Sequence, residues 1–106
     1  VKPQFEAGRR EASAGRGVIR SPEVWRRTLT EVAQCAAVEG LLPRAVVLAD
    51  PPGAEGNSEF FLHCRKPAQG EGAAAREFGA ALPEAFVTAL EVAVGVAGER
   101  AADGMS

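Results

Sequence analysis

The segment RAVVLADPPGAEGNSEFFLHCR, residues 44–65, decides how this chain folds. Arg44 to Ala49 is an apolar run bounded by Pro43 and by Pro51-Pro52. Continuous rather than alternating hydrophobicity predicts a strand covered on both faces. Ser58 to Arg65 predicts another strand, with Glu59, Phe61 and His63 on one face and Phe60, Leu62 and Cys64 on the other. The Pro- and Gly-rich stretch Asp50 to Asn57 between them is too short for a crossover. The two strands must therefore run antiparallel.

Working upstream, Ser21-Pro22 marks a helix start, with Ser at the N-cap and Pro at the first helical position, where a missing N–H costs nothing. Glu23 adds a favourable charge near the positive helix end. Trp25, Leu29, Val32 and Ala36 follow at helical spacing and predict one buried stripe. Gly40 suits the C-terminal cap. Residues 6–20 read as a Gly- and Arg-rich loop, and Val1 to Phe5 as the end of a strand. A strand, a helix and a second strand make a right-handed crossover with parallel strands. The third, antiparallel strand then lies either outside the second or between the first two, in a three-stranded sheet.

Working downstream, residues 67–82 read as a linker. Pro83 opens a last helix over 83–97, with Phe86, Leu90 and Val94 on one stripe and Ala89, Val92 and Val96 beside it. Residues 98–106 are expected to form a flexible tail.

The chain has 106 residues, enough for one small domain, and much of its 46% hydrophobic content is Ala, so its core is thin. It begins at Val1, inside the expected strand, and so reads as a fragment. The net charge of −2 is unevenly spread: residues 1–30 carry +4 and the remainder −6. A basic N-terminal third on an acidic body fits a polyanion on one side. No run of about 18 apolar residues is present to span a membrane, and no signal peptide is visible. His63 and Cys64 are adjacent and point to opposite strand faces, so no metal site is expected. Cys35 and Cys64 read as buried free thiols of a cytoplasmic protein.

Two segments carry a resemblance. The first is Val1-Lys2-Pro3-Gln4-Phe5-Glu6-Ala7-Gly8-Arg9, continued by Gly15-Arg16-Gly17-Val18-Ile19-Arg20 and Ser21-Pro22-Glu23. The second is Gly53-Ala54-Glu55-Gly56-Asn57-Ser58-Glu59-Phe60-Phe61-Leu62. Together, over roughly residues 1–65, they resemble the TlyA family of haemolysin-like, FtsJ-related ribosomal RNA methyltransferases. That family shows KPQFE–G(R/K), a Gly-rich loop ending in a basic residue before a helix, and GP-x-GN-x-E-(F/Y) before the last strand. This chain departs from it at Ala49-Asp50, where Ser-Pro is usual, and at Ala54, where Pro is usual.

The resemblance implies an α/β fold: residues 1–66 as the C-terminal part of a Rossmann-like, S-adenosylmethionine-dependent methyltransferase domain, with the last strand antiparallel between two parallel ones. It implies ribose 2′-O-methylation of rRNA cytidines, with ribosomal RNA or ribosomal subunits as partner. Of the family's Lys-Asp-Lys-Glu tetrad, the second Lys corresponds to Lys2 and the Glu to Glu59. The first Lys, the Asp, the donor-binding loop and an S4-like RNA-binding domain belong upstream. The chain is thus expected to be inactive without the N-terminal half, and to hold no cofactor-binding residues of its own. In the expected fold Lys2 and Glu59 converge at the rim where open α/β sheets place their ligands.

Those residue types suit the reaction. A ribose hydroxyl is a weak nucleophile near neutral pH and needs a base, or a cation to stabilise the developing alkoxide. A partly desolvated Lys beside another cation serves as that base, and a Glu orients both Lys and ribose by hydrogen bonding. Arg9, Arg10, Arg16 and Arg20 lie in the loop that follows the rim and are expected to hold RNA phosphates. Asp50-Pro51-Pro52-Gly53 is similar to the (D/N)PP-aromatic motif of amino-group methyltransferases, but Gly53 offers no ring to stack on a base, so the stretch reads as a turn. The competing reading is a small non-catalytic α/β interaction module in which Lys2 and Glu59 are ordinary surface charges.

Overall fold

The computed structural model describes residues 1–6, 8, 18–53, 56–68 and 82–105. The elements follow in the order α1 (Pro3–Glu6), α2 (Pro22–Val38), β1 (Leu42–Leu48), β2 (Phe60–Arg65) and α3 (Glu84–Met105). The strands β1 and β2 pair antiparallel, from Leu42 opposite Arg65 to Leu48 opposite Phe60, with an irregularity between Pro43 and Ala45. Pro43 has no N–H for the ladder, and such residues sit at bulges and edges.

Among the described residues the sheet has two strands rather than the three expected. Val1 to Phe5 is not a strand, because Pro3 begins the single helical turn α1. The amides of Phe5 and Glu6 both donate to the Lys2 carbonyl, at 2.9 and 3.2 Å. Proline's fixed φ and missing N–H favour such a first turn. Only Val1 keeps the extended pairing. Its carbonyl accepts from the Phe60 amide at 2.9 Å, and its amino group donates to the Phe60 carbonyl. Two residues that exchange both bonds form an antiparallel pair. The Ala49 amide donates to the Glu59 carbonyl at 2.8 Å, on the opposite edge of the chain at β2. Thus β2 runs between Val1 and β1, the inner of the two positions open to it.

Helix α2 begins as its sequence dictates. Ser21 is the N-cap, its hydroxyl accepts from the Val24 amide, and Pro22 follows. At the other end the Gly40 amide donates to Ala37 and the Leu41 amide to Ala36, with Gly40 at φ 92°. This pair of bonds is a Schellman motif, and its positive φ suits glycine. The buried side of α2 is Trp25, Thr28, Leu29, Ala33 and Ala37. Val32 and Ala36, expected on that stripe, are only half-buried. The stripe instead continues in four-residue steps through Trp25, Leu29, Ala33 and Ala37. The buried Thr28 hydroxyl donates to the Trp25 carbonyl at 3.1 Å, so it carries no unmet polar group.

Helices α2 and α3 share one buried cluster with Val46 and Phe60, which puts both on the same side of the sheet. The rings of Trp25 and Phe60 meet edge to face at 6.2 Å, a contact worth about 0.5–1.5 kcal/mol beyond the area it buries. The expectation that β1 is covered on both faces is therefore corrected. Val46 is buried, but Val47 is 58% exposed and lies opposite Phe61, which is 68% exposed. The alternation expected for β2 holds: Phe60 is buried, Leu62 and Cys64 are half-buried, and Phe61 and His63 are exposed.

Phe86, Leu90 and Val94 of α3 are buried as their spacing predicts, joined by Ala93 and Ala97. The helix does not stop at 97: residues 98–105, expected as a loose tail, continue it. Ala101 packs against the buried cluster and Arg100 bonds to the β1–β2 loop, which gives these turns tertiary support. Most of the expected linker, residues 69–81, lies outside the described residues. Among the described residues no helix is long and apolar enough to cross a membrane. Cys35, expected to be buried, is exposed on α2, while Cys64 is half-buried with its thiol pushed up by burial; both are free.

Candidate active site

The Val1–Phe60 pair fixes what stands next to it. In an antiparallel pairing the residue after one member faces the residue before the other, which brings Lys2 to Glu59. Lys2 Nζ lies 3.8 Å from Glu59 Oε2. Lys2 then supplies the carbonyl that caps α1, and Glu59 is the last residue before β2.

The two partners differ in exposure: the Lys2 side chain is 56% exposed and that of Glu59 is 19%. An ion pair with one largely solvated partner adds under about 1 kcal/mol. Stability alone is therefore a weak reason for this arrangement. Gln4 joins the pair from α1, with Nε2 donating to Glu59 Oε2 at 3.2 Å. The buried Gln4 Oε1 has no hydrogen-bond partner among the described residues. Lys2 Nζ also stands 5.9 Å from the centre of the exposed Phe5 ring, at the edge of cation–π range.

The loop ahead of β2 is built to carry Glu59. The Gly53 amide donates to the Asn57 carbonyl at 2.9 Å, and the Gly56 amide returns to the Gly53 carbonyl at 3.1 Å. Gly56 takes φ 80°, a conformation open to glycine at little cost. The Asn57 side chain is buried, and its Oδ1 accepts from the Ile19 amide at 2.9 Å. This bond ties the end of the Gly- and Arg-rich loop to the segment bearing Glu59. Gly53 lies against Glu59 itself, since a Cβ at position 53 would fall 2.1 Å from Oε2.

The structure thus brings together Lys2 and Glu59. Arg20 is exposed, one residue beyond the Ile19 anchored by Asn57. Arg9, Arg10 and Arg16 lie outside the described residues. No group of three metal-binding side chains occurs among the described residues. Four contributors were not singled out as site residues in the sequence: Gln4, Gly53, Asn57 and Arg100. Gln4, Gly53 and Asn57 fall within the two quoted motifs, whereas Arg100 lies in the stretch expected to be a loose tail.

No protein-family model matches the chain. Among curated proteins it is 38% identical over 71 residues to "Putative rRNA methyltransferase YqxC" of Bacillus subtilis, covering 67% of this chain and 25% of that protein. It is 38% identical over 65 residues to "16S/23S rRNA (cytidine-2'-O)-methyltransferase TlyA" of Mycobacterium tuberculosis, covering 61% of this chain and 24% of that one. The chain therefore spans about a quarter of the length of these curated relatives. Two solved structures share its fold. A "putative hemolysin" from Lactococcus lactis superposes with a TM-score of 0.70 at 28% identity, over 91% of this chain and 39% of that one. A second, from Streptococcus thermophilus, gives 0.74 at 25% identity, over 99% of this chain and 33% of that one. By sequence, over about two thirds of its length, the chain is similar to the TlyA and YqxC rRNA methyltransferases, and by fold to the putative hemolysins.

Proposed function

We propose that this chain supplies the lysine–glutamate side of an rRNA ribose 2′-O-methyltransferase site acting on cytidine. The observation that carries the reading is the contact of Lys2 with Glu59, set by a backbone pairing and joined by Gln4. The names of the curated relatives support the reaction class and the substrate. In this reading the described elements are the last strands and helices of a Rossmann-like methyltransferase domain in the cytoplasm. Residues 1–66 form its catalytic edge, 67–82 link it to α3, and α3 closes it.

S-adenosylmethionine would supply an electrophilic methyl group. The cleft between β1 and α3, of about 530 Å³, is walled by Val46, Leu48, Val92 and Val96 and includes neither Lys2 nor Glu59. The donor would be held by other parts of the enzyme, and residues 1–106 alone would be inactive.

The roles of the chain's own residues follow from their chemistry. Lys2 Nζ receives the proton of the 2′-hydroxyl as its oxygen attacks, or stabilises the forming alkoxide by its charge. Glu59 holds the Lys2 amino group in place and accepts a hydrogen bond from the ribose. Gln4 fixes the Glu59 carboxylate from the other side. Arg9, Arg10, Arg16 and Arg20 would bind the phosphates flanking the target nucleotide.

The test is methyl transfer to rRNA by the enzyme carrying residues 1–106, with Lys2→Ala and Glu59→Gln. Both variants are expected to lose turnover while keeping the fold. The exposed Val47–Phe61 face favours the other reading, a non-catalytic interaction module. Unchanged turnover in both variants would decide for that module.

A further inference from the structure

We infer that Arg100 is a positioning residue, a latch from α3 that fixes the segment bearing Glu59; the inference rests on the proposed role of Glu59. The guanidinium reaches both ends of the β1–β2 loop. Nη1 donates to the Ala49 carbonyl at 3.1 Å, just after β1, and Nη2 donates to the Ser58 hydroxyl at 3.3 Å, just before Glu59. Ala49 is itself bound to Glu59, through its amide and the Glu59 carbonyl at 2.8 Å. Arg100, Ala49, Ser58 and Glu59 therefore form a closed ring of backbone and side-chain contacts.

The chemistry of the side chain suits this task. The guanidinium is planar and rigid, so two of its donors hold two acceptors at a fixed separation, which a lysine ammonium on a flexible stem does not do. Ser58 and Asn57 are buried, so the segment has few alternative partners in water. On the far side Asn57 binds Ile19, and Gly53 leaves room for the Glu59 carboxylate. Arg100 joins this assembly from α3. It reaches Glu59 only through Ala49 and Ser58, so its action on the Lys2–Glu59 pair is indirect.

The test uses nuclear magnetic resonance of the chain without RNA or methyl donor, reading the Gln4 side-chain carboxamide, which bonds to Glu59. Arg100→Ala is expected to shift these resonances toward those of a free carboxamide. It should also speed their hydrogen exchange by about fivefold or more, the scale of one lost hydrogen bond. Arg100→Lys keeps the charge without the fork and should not restore the parental signals. Ser58→Ala removes one acceptor only and should give a smaller shift in the same direction. It remains informative if Arg100→Ala fails to fold. Folding is followed separately through the fluorescence of the buried Trp25.

A folded Arg100→Ala or Ser58→Ala chain with parental Gln4 signals overturns the inference, as does full restoration by Arg100→Lys. Failure of the catalytic reading looks different. Methyl transfer would then survive Lys2→Ala while the Gln4 signals still respond to Arg100, and the latch would stand as a feature of the loop.

Discussion

The carboxylate of Glu59 rests against the Cα of Gly53, where a Cβ would fall 2.1 Å from Oε2 and 2.3 Å from Cδ. The obstructed group is the far end of a flexible side chain. Gly53→Ala should therefore displace the carboxylate rather than unfold the loop. The expected result is a stability change of under about 1 kcal/mol, within the range of tolerated small substitutions. Methyl transfer should fall at least about tenfold, the effect of a misplaced catalytic group. Denaturation and single-turnover kinetics on one preparation check both. Full activity would show that the carboxylate need not sit against position 53.

Asn57 ties the segment bearing Glu59 to the backbone ahead of α2 through its bond to the Ile19 amide. Asn57→Ala leaves that buried donor unmet, at a cost of about 1–3 kcal/mol. Chemical denaturation should show this loss, and hydrogen exchange should speed up at Ile19 before it does in the centre of α2. Uniform acceleration along the chain would mean that Asn57 acts on global stability alone.

The two thiols should react in a fixed order. Cys35 is exposed on α2, whereas burial pushes the Cys64 thiol up and lowers its thiolate fraction at a given pH. Alkylation near pH 8 followed by mass spectrometry should label Cys35 first and Cys64 only slowly. Equal rates would show that β2 opens readily.

The arginines of residues 9–20 should act through phosphate. Replacing Arg16 and Arg20 by Ala should lower the slope of log affinity for RNA against log salt by about 0.7–0.9 for each lost contact. An unchanged slope assigns both to the solvated surface.

Particular residues show how much was legible in the sequence. Ser21, Pro22 and Gly40 marked the ends of α2, because caps are local chemistry. The short loop between β1 and β2 fixed their antiparallel pairing for the same reason. Val1 to Phe5 misled, because the apolar ends of the stretch hid the effect of Pro3. The buried stripe of α2 was misplaced at Val32 and Ala36, since helical spacing alone leaves neighbouring faces close to equivalent. The apolar run of β1 suggested two covers, yet which faces are covered depends on where α3 packs, and that is a tertiary matter. Lys2 and Glu59 were found through their motifs, and the Val1–Phe60 pair supplies the physical reason that they meet. Arg100 gave no local signal, because its partners, Ala49 and Ser58, are remote in sequence.

In the proposed site Lys2 does chemistry rather than hold the fold together. Its side chain is over half exposed, so Lys2→Ala should change stability by no more than about 0.5 kcal/mol. The deciding measurement is single-turnover methyl transfer to rRNA by the enzyme carrying residues 1–106, comparing Lys2→Ala with the parent at saturating RNA and donor. Methyl transfer is expected to be lost while RNA affinity and the denaturation midpoint are kept. Parental turnover in the folded variant would contradict that role for Lys2.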